Sequence, residues 1–440
     1  MLKLMTYKLS ALGNNVREVL KGQNIFIDDE STDIVLIKNG RGENIEVKPD
    51  FSFVPNGIQG MASHIGVAVD TSALDFSVIL LKNSCLASAV YTRSLCVSPA
   101  IIFDRKNTNK GYIKLICVIS KNASVFTPRA EADIDKIVKS LAEEFNVSID
   151  EILISFTGII GKALPTEVIV NNINGLSKLL SDNALESISE AILTTDKRPK
   201  QASIKYDDVI ITGYAKGAGM IEPNMATLLV YLYTNVKVSK QILDYALKTA
   251  VDLSFNSLSV DSDTSTSDTV SLVSTEEVDI VGNENKFQQA LNAVCIKLAR
   301  DVAMEAEGAT KLLEVIVNIP TSQEDARFFA KKIVNSPLVK TAIHGNDPNW
   351  GRIVMAIGKP VPGSPLLTIS PNQVEISIQD TSLYKNGLSI ETDLDELSNQ
   401  IKASTNVKIE VTIGAPTHTA TVWGCDLSAE YVRENADYSS

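Results

Sequence analysis

The sequence contains few of the residues that enzymes most often use for acid–base catalysis and metal binding. Histidine occurs only at His64, His344 and His418, and we interpret each of them as a structural or surface residue. The five cysteines are odd in number and widely spaced, with no CxxC pair, which argues against a disulfide framework and a structural zinc site. Because the sequence also lacks ligand clusters at metal spacing and a nucleotide-binding fingerprint, we expect neither a metal nor a cofactor.

Positive charge and long apolar runs are also scarce. The net charge is −12, and because nucleic acids and anionic membranes are bound by clustered Lys and Arg, we expect neither as a partner. A small anionic substrate held by one or two local cations is compatible with this charge. No stretch reaches the roughly 18 apolar residues of a membrane helix, and residues 1–20 lack the features of a secretory signal. Cys117 and Cys295 lie in apolar runs typical of buried thiols, so we predict a soluble protein of the reducing cytoplasm.

What the sequence does contain is a mixed α/β pattern, with 44% hydrophobic and 21% charged residues, as is usual for globular proteins. Residues 1–52 are interpreted as an N-terminal extension without chemistry, in which residues 25–27 and 34–37 are β-like. The apolar periodicity predicts strands at residues 76–81, 112–120, 227–233, 312–319, 374–378 and 408–413, and helices at residues 130–145, 166–181, 185–194, 240–253, 285–305 and 324–334. The pattern therefore predicts an α/β (α+β) fold, with a smaller C-terminal lobe after Ser322 and a linker or long turn at residues 358–365.

The most informative segment runs from Tyr214 to Leu229. Its first half is a loop, Lys216-Gly-Ala-Gly219, in which glycine allows close backbone approach to a ligand and Lys216 supplies a single cation. Its second half leads through Pro223 into Thr227, at the start of an apolar strand. Taken alone, a threonine at such a junction is typical of a strand start or a turn cap. The loop also lacks the spacing of a phosphate-binding P-loop.

This segment resembles the self-processing site of the ornithine acetyltransferase (glutamate N-acetyltransferase) family of arginine biosynthesis. The family carries Lys-Gly-Ala-Gly-Met-Ile-x-Pro-Asn-Met-Ala-Thr-Met/Leu-Leu, which here runs from Lys216 to Leu229 with Glu222 in the variable position. Further blocks similar to the family pattern lie at residues 157–165, 194–200, 254–256, 260–269, 307–311, 336–342, 347–352 and 435–440. The resemblance covers roughly residues 53–440.

The resemblance implies that the chain cleaves itself between Ala226 and Thr227, giving an α chain, 1–226, and a β chain, 227–440. In the implied reaction the Thr227 hydroxyl attacks the Ala226 carbonyl, and water hydrolyses the resulting ester. The freed α-amine, whose reference pKa is about 7.7–8.0, then acts as the general base. The implied transfer is ping-pong: N-acetylornithine acetylates Thr227, ornithine leaves, and glutamate departs as N-acetylglutamate.

The same matches imply two groups of supporting residues. Thr157 and Gly158 would form the oxyanion hole, at a position that would otherwise be interpreted as an ordinary turn after a strand. Lys216 and Thr194 would contact the substrate, Lys216 being suited to the α-carboxylate shared by ornithine and glutamate. Thr195 fits the spacing as well as Thr194 does.

The C-terminal half is implied to complete the pocket. Glu307 suits a substrate amine, although a lone glutamate at a helix end is typically a solvated surface residue. Asn435 and Ser440 would contribute from the C-terminal tail. The implied fold is a two-lobed sandwich of mixed sheets and helices, in which residues 227–321 complete the main lobe and residues 322–440 form the smaller one. The implied assembly is a dimer of cleaved αβ units.

Four positions depart from the family pattern. Lys121 and Ser262 stand where glycine is usual, and Ser124 and Ser267 stand where asparagine is usual. The changes spare Thr227 but leave open a specialised paralogue with another acyl donor or acceptor. The residues also do not decide whether acetyl-CoA serves as a donor, as it does in bifunctional family members.

Two further hypotheses stand beside the transferase. A threonine-nucleophile amidase would release acyl groups to water, and acetate release without glutamate would indicate it. An uncleaved protein that binds ligands without catalysis would retain the bond between Ala226 and Thr227.

Overall fold

The computed structural model describes residues 16–20, 22–28, 35–38, 44–222, 228–360 and 368–437. These described residues form two compact units: the larger contains those within 33–256 and 263–298, and the smaller contains those within 16–32, 257–262 and 299–437. Strands and helices mix in both units, which confirms the predicted α/β class. Within the described ranges, no helix is long and apolar enough to cross a membrane.

The described elements, in chain order, are as follows. The strands are β1 Val16–Leu20, β2 Ile25–Asp28, β3 Val35–Lys38, β4 Asn44–Glu46, β5 Ile58–Ser63, β6 Phe76–Tyr91, β7 Tyr112–Ile119, β8 Ile152–Phe156, β9 Lys200–Tyr206, β10 Val209–Lys216, β11 Leu229–Lys237, β12 Thr269–Asp279, β13 Leu312–Ile319, β14 Val374–Ile378, β15 Thr381–Lys385, β16 Leu388–Ser389, β17 Asn406–Ile413 and β18 His418–Cys425. The helices are α1 Pro99–Lys110, α2 Ala130–Phe145, α3 Thr166–Ile173, α4 Leu185–Ala191, α5 Lys240–Leu253, α6 Glu284–Met304, α7 Gln323–Val334, α8 Pro337–His344, α9 Trp350–Gly358, α10 Leu394–Ala403 and α11 Ala429–Asp437.

The larger unit is built on an eight-stranded sheet in the order β8-β7-β6-β12-β11-β10-β9, with β5 also paired to β6. The long strand β6 has two halves that pair with different neighbours. Residues 76–81 pair with β5, whereas residues 86–91 pair with β12, and the pairing with β7 has an irregularity between Leu80 and Cys85. Such a bulge bends a strand. Strands β8 and β11 are four places apart in the sheet, yet Leu153 and Tyr231 share one core, so the sheet folds into two layers, as in the sandwich that the resemblance implies.

The two layers enclose one core. It contains Ile79 and Leu153 from the β5–β8 side and Tyr214, Tyr231 and Val273 from the β9–β12 side. A second core lies on the outer face of the first layer, where the helices α2 and α3 pack. In β8 alternate residues belong to the two cores, as expected for side chains that point to opposite faces of a strand.

Most predicted elements of the larger unit are confirmed, and two helix ends are wrong. The helices at residues 130–145 and 240–253 match α2 and α5. The helix predicted over residues 166–181 ends at Ile173, because Gly175 adopts a left-handed backbone with φ of 85°, and a short 3-10 helix follows. The next helix ends at Ala191 and not at 194.

The smaller unit contains a six-stranded sheet in the order β16-β15-β14-β17-β13-β18. Its strand β17 alternates buried and half-buried residues, as predicted for residues 408–413. The helices α7, α8 and α9 contribute Phe329, Val339 and Ile353 to its core. The linker predicted at residues 358–365 lies largely outside the described residues.

Candidate active site

Thr157 and Gly158 directly follow the buried strand β8. The Thr157 backbone N–H donates to the Ile119 carbonyl at 3.1 Å, which extends the parallel pairing of β8 with β7. Parallel strands end together at one sheet edge, so the residues after β8 lie beside those after β7. The turn at Thr157 is therefore fixed by the sheet.

Gly158 occupies a position that no other residue fits. Its φ is 131°, and a Cβ atom there would lie 2.3 Å from the Lys121 carbonyl carbon and 2.5 Å from the Asn122 nitrogen. These are backbone atoms that cannot rotate away. The glycine thus allows two backbone segments to approach each other closely.

Lys216 is the last residue of β10, and its ammonium reaches Thr157. The Lys216 Nζ donates to the Thr157 Oγ1 at 3.0 Å, although the two residues are 59 positions apart. In the antiparallel pair of β10 and β11, Lys216 lies opposite Leu229. The structure therefore joins three predicted features: Thr157, Gly158 and Lys216.

A buried carboxylate, Asp196, ties the loop after α4 to the loop after β10. Its Oδ1 accepts from the Lys200 Nζ at 2.5 Å and from the Gly217 N–H at 2.6 Å, and its Oδ2 accepts from the Thr194 N–H at 3.3 Å. The Lys200 ammonium also donates to the Gly217 carbonyl at 3.1 Å. The side chains of Asp196 and Lys200 are 0% and 1% exposed, so this is a fully buried ion pair.

The electrostatics of Asp196 are dominated by its cationic neighbours. Burial by itself would raise the pKa of this carboxyl. The charges of Lys200 and Lys216 and the Gly217 N–H outweigh burial and lower the pKa from 3.8 to about 2. Asp196 is therefore ionised at neutral pH and holds the Thr194 and Gly217 segments together.

Lys121 follows β7 and contacts the same loop. Its φ is 72°, a left-handed backbone that is unusual for a residue with a Cβ atom. Its Nζ donates to the Leu193 carbonyl at 2.5 Å. Burial lowers the pKa of Lys121, whereas the carboxylates of Asp196 and Asp75 act in the opposite direction.

The smaller unit brings together Glu307 and Asn435. Glu307 is buried, 8% exposed, and its Oε2 accepts from the Asn435 Nδ2 at 2.8 Å. Asn435 lies on α11, so the part of the tail that precedes residue 438 is helical and not a free tail. The interpretation of Glu307 as a solvated surface residue is wrong.

Asp426 anchors the turn that carries Glu307. Its Oδ1 accepts from the backbone N–H groups of Thr310 and Lys311, at 2.8 and 2.9 Å. Its Oδ2 accepts from the Thr310 hydroxyl at 2.5 Å and lies 2.7 Å from the His344 Nδ1. His344 thus has a structural partner, in agreement with its interpretation from the sequence.

Comparison with known proteins decides the family. The model of the ArgJ family matches residues 60–440. The chain belongs to the ArgJ family. It is 38% identical over 389 residues to the arginine biosynthesis bifunctional protein ArgJ 2 of Clostridium acetobutylicum, covering 88% of this chain and 98% of that relative. It is 35% identical over 381 residues to the glutamate N-acetyltransferase of Methanocaldococcus jannaschii, covering 83% and 94%.

A solved structure of an ArgJ protein from Bacillus halodurans is 34% identical, aligns over 48% of this chain and 100% of that chain, and has a TM-score of 0.44. Membership of the ArgJ family confirms the resemblance inferred from the motifs.

The predicted site residues are described for each unit separately. The larger unit contains Thr157, Gly158, Lys216 and Thr194, and the smaller contains Glu307 and Asn435. The proposed cleavage site at Ala226 and Thr227, and the terminal Ser440, lie outside the described residues.

Three residues beside the site were not predicted: Asp196, Lys200 and Asp426. Asp196 and Lys200 stand four positions apart in the matched block 194–200, and this spacing was the available signal. Asp426 follows a strand of the smaller unit, and no spacing in the sequence links it to the distant turn that it holds.

Proposed function

We propose that this protein is a self-cleaving acyltransferase that moves an acetyl group from N2-acetylornithine to glutamate through an acetyl ester of Thr227. The observation that carries the proposal is the Lys216 Nζ to Thr157 Oγ1 hydrogen bond of 3.0 Å beside the Gly158 turn. The names of the relatives support the substrate pair, since one is a glutamate N-acetyltransferase and the other a bifunctional protein of arginine biosynthesis.

The hydrogen bond from Lys216 sets the direction of the Thr157 hydroxyl. An ammonium can only donate, so the Thr157 oxygen must accept from it. The Thr157 proton is then available for another acceptor. With the Gly158 backbone N–H beside it, the hydroxyl gives the pair of donors that stabilises a tetrahedral oxyanion, worth roughly 3–4 kcal/mol per donor.

The proposed nucleophile, Thr227, lies outside the described residues, so its place is inferred from the two residues that follow it in the chain. Thr227 precedes Leu228, whose carbonyl accepts from the Thr269 N–H at 3.0 Å. The next residue, Leu229, pairs with Lys216 across the β10–β11 ladder. Chain connectivity therefore keeps Thr227 within two residues of the strand position opposite Lys216.

The proposed chemistry consists of one self-cleavage event followed by a transfer reaction in two halves. In self-cleavage the Thr227 Oγ displaces its own amide nitrogen from the Ala226 carbonyl, and water hydrolyses the ester. In the first half-reaction the acetyl group passes to the Thr227 Oγ as the amide bond of N2-acetylornithine breaks, and the departing amine takes the proton. In the second, the amine of glutamate attacks the acetyl ester and restores the Thr227 hydroxyl.

Charged and polar residues named above are assigned to the ends of these substrates. We propose that the Lys216 ammonium binds the α-carboxylate and that Thr194 contacts the substrate. We assign the carboxylate of Glu307, which Asn435 orients at 2.8 Å, to a substrate amine, with Ser440 completing the pocket. A dimer of cleaved αβ units is the proposed assembly.

Intact mass measurement tests the proposal first. The wild type should give two chains that end at Ala226 and begin at Thr227, and Thr227→Ala should give one uncleaved chain. The matched variant Thr227→Ser keeps a hydroxyl and should still cleave. A wild type with a single intact chain refutes the nucleophile and leaves a binding protein.

Acetyl transfer from N2-acetylornithine to glutamate then tests the substrates. Thr157→Val removes the hydroxyl at similar volume and should lower kcat by about 100-fold, the usual effect of one lost oxyanion donor. Thr157→Ser should retain most of the activity. Acetate release without glutamate would instead identify an amidase, and cleavage without either reaction would indicate another acyl donor.

A further inference from the structure

Lys121 occupies a conformation that glycine would adopt freely, and the family pattern has glycine there. Its φ of 72° brings its Cβ atom close to its own backbone. Non-glycine residues persist in such conformations where the surrounding structure holds them, and these positions cluster at functional sites.

The Lys121 backbone forms one wall of the proposed oxyanion turn. The hypothetical Cβ at Gly158 would be 2.3 Å from the Lys121 carbonyl carbon and 2.6 Å from its Cα atom. Nearby, the Ala123 N–H donates to the Ile159 carbonyl at 2.9 Å. A shift of the Lys121 backbone would therefore displace Gly158.

The Lys121 side chain reaches the other side of the site. Its ammonium donates to the Leu193 carbonyl at 2.5 Å, directly before Thr194. From there, the Thr194 N–H donates to Asp196, and Asp196 accepts from Gly217. Lys121 is thus a link between the oxyanion turn and the segment that carries Thr194.

We propose that Lys121 is a positioning residue for acyl transfer, which tethers the Thr194 segment to the Gly158 turn. The proposal rests on the proposed function for its catalytic readout. Glycine would relieve the backbone strain but would remove the tether, so stability and activity should respond differently to the same substitution. A residue that only supports the fold would lower both together.

The test compares Lys121→Gly with Lys121→Arg and Glu276→Gly. Lys121→Gly should lower kcat/KM by about tenfold, because one charge-assisted hydrogen bond positions the site, with Tm equal to or above that of the wild type. Lys121→Arg keeps a donor and should recover activity to within about threefold. Glu276 has a similar φ of 58° on β12; Glu276→Gly should leave activity unchanged.

Amide hydrogen exchange tests the Lys121 tether independently of acetyl transfer. The backbone amides of residues 193–196 should exchange faster in Lys121→Gly than in the wild type. In Lys121→Arg they should exchange at the wild-type rate. If exchange responds but the wild type transfers no acetyl group, the proposed function fails and the tether stands. Unchanged activity in Lys121→Gly, or a parallel loss of Tm and activity without recovery by arginine, overturns the proposal.

Discussion

Replacing Asp196 by asparagine should destabilise the larger unit more than any exposed charge change. The substitution keeps the shape of the side chain but removes the charge that compensates Lys200, whose side chain is 1% exposed. Removing one partner of a buried ion pair costs about 3–5 kcal/mol, because the other charge stays buried without compensation. Lys216 adds to this cost, since its charge also acts on Asp196.

The pH dependence gives an independent measure of the same interaction. The pKa of Asp196 is lowered from 3.8 to about 2, which corresponds to roughly 2 kcal/mol of stability. The contribution is fully present above about pH 5 and is lost as the pH falls through 4 to about 2, because the unfolded chain binds the proton more tightly than the folded chain. Asp196→Asn should therefore lose less stability than the wild type over this range.

Urea denaturation between pH 7 and pH 3 measures both effects. In all variants Thr227→Ala is included so that each is a single chain. Glu167→Gln is the matched control, since its ion pair with Lys136 is exposed to solvent and should contribute little to stability. Asp196→Asn combined with Lys200→Met should recover most of the stability. Asp196→Asn with a loss below about 1 kcal/mol, or with a pH profile parallel to the wild type, would refute the reasoning.

Three further substitutions test single positions in the two units. Gly158→Ala should abolish folding or acetyl transfer, because its methyl group would lie 2.3 Å from a Lys121 backbone atom; Tm reports the first and the acetyl-transfer assay reports the second. Ser262→Gly should raise the free energy of unfolding by about 1 kcal/mol in urea, because the φ of 66° is unfavourable for serine. Asp426→Ala should lower the stability of the smaller unit by about 3 kcal/mol in the same assay, since Thr310 loses charge-assisted hydrogen bonds.

The elements that sequence analysis predicted are those with a clear apolar period. Helix α2 buries Ile134, Ile137 and Leu141 on one face, so its sequence shows the period of the helix. Helix α1 was missed, because it buries the polar residues Asp104 and Asn107. These side chains bind the backbone of β8 and of Ile149 just before it, and among the described strands β8 lies at the edge of its sheet, so no apolar stripe marks the helix.

The contacts of α1 illustrate why such helices escape prediction. The Asp104 Oδ1 accepts from the Ile154 N–H at 2.8 Å, and the Asn107 Nδ2 donates to the Ile149 and Ile152 carbonyls at 2.9 and 2.8 Å. Burial raises the pKa of Asp104, which favours its neutral form. The need for these polar residues arises only when the edge of β8 exists.

The residues of the candidate site could not be predicted from apolar periodicity. Thr157 and Lys216 were found through matched blocks, since a contact across 59 positions has no local signature. Their meeting requires distant strands of the sheet to face each other, as the shared core of β8 and β11 shows. Asp196 and Asp426 were missed because each binds backbone N–H groups, and any acidic residue near a turn has the same appearance in sequence.

Three lysine side chains lie at the candidate site, although the chain as a whole is acidic. The whole chain has a net charge of −12, yet the charges of Lys121, Lys200 and Lys216 all interact with the buried carboxylate of Asp196, and Asp75 is a second buried carboxylate that acts on Lys121. The Lys216 ammonium donates to the Thr157 hydroxyl at 3.0 Å and the Lys121 ammonium donates to the Leu193 carbonyl at 2.5 Å, so two lysine side chains border the Thr157–Gly158 turn and the Thr194 segment. In the proposed reaction, lysine side chains at these places would stabilise the substrate carboxylate and the developing oxyanion. An excess of acidic residues elsewhere therefore does not conflict with anionic substrates.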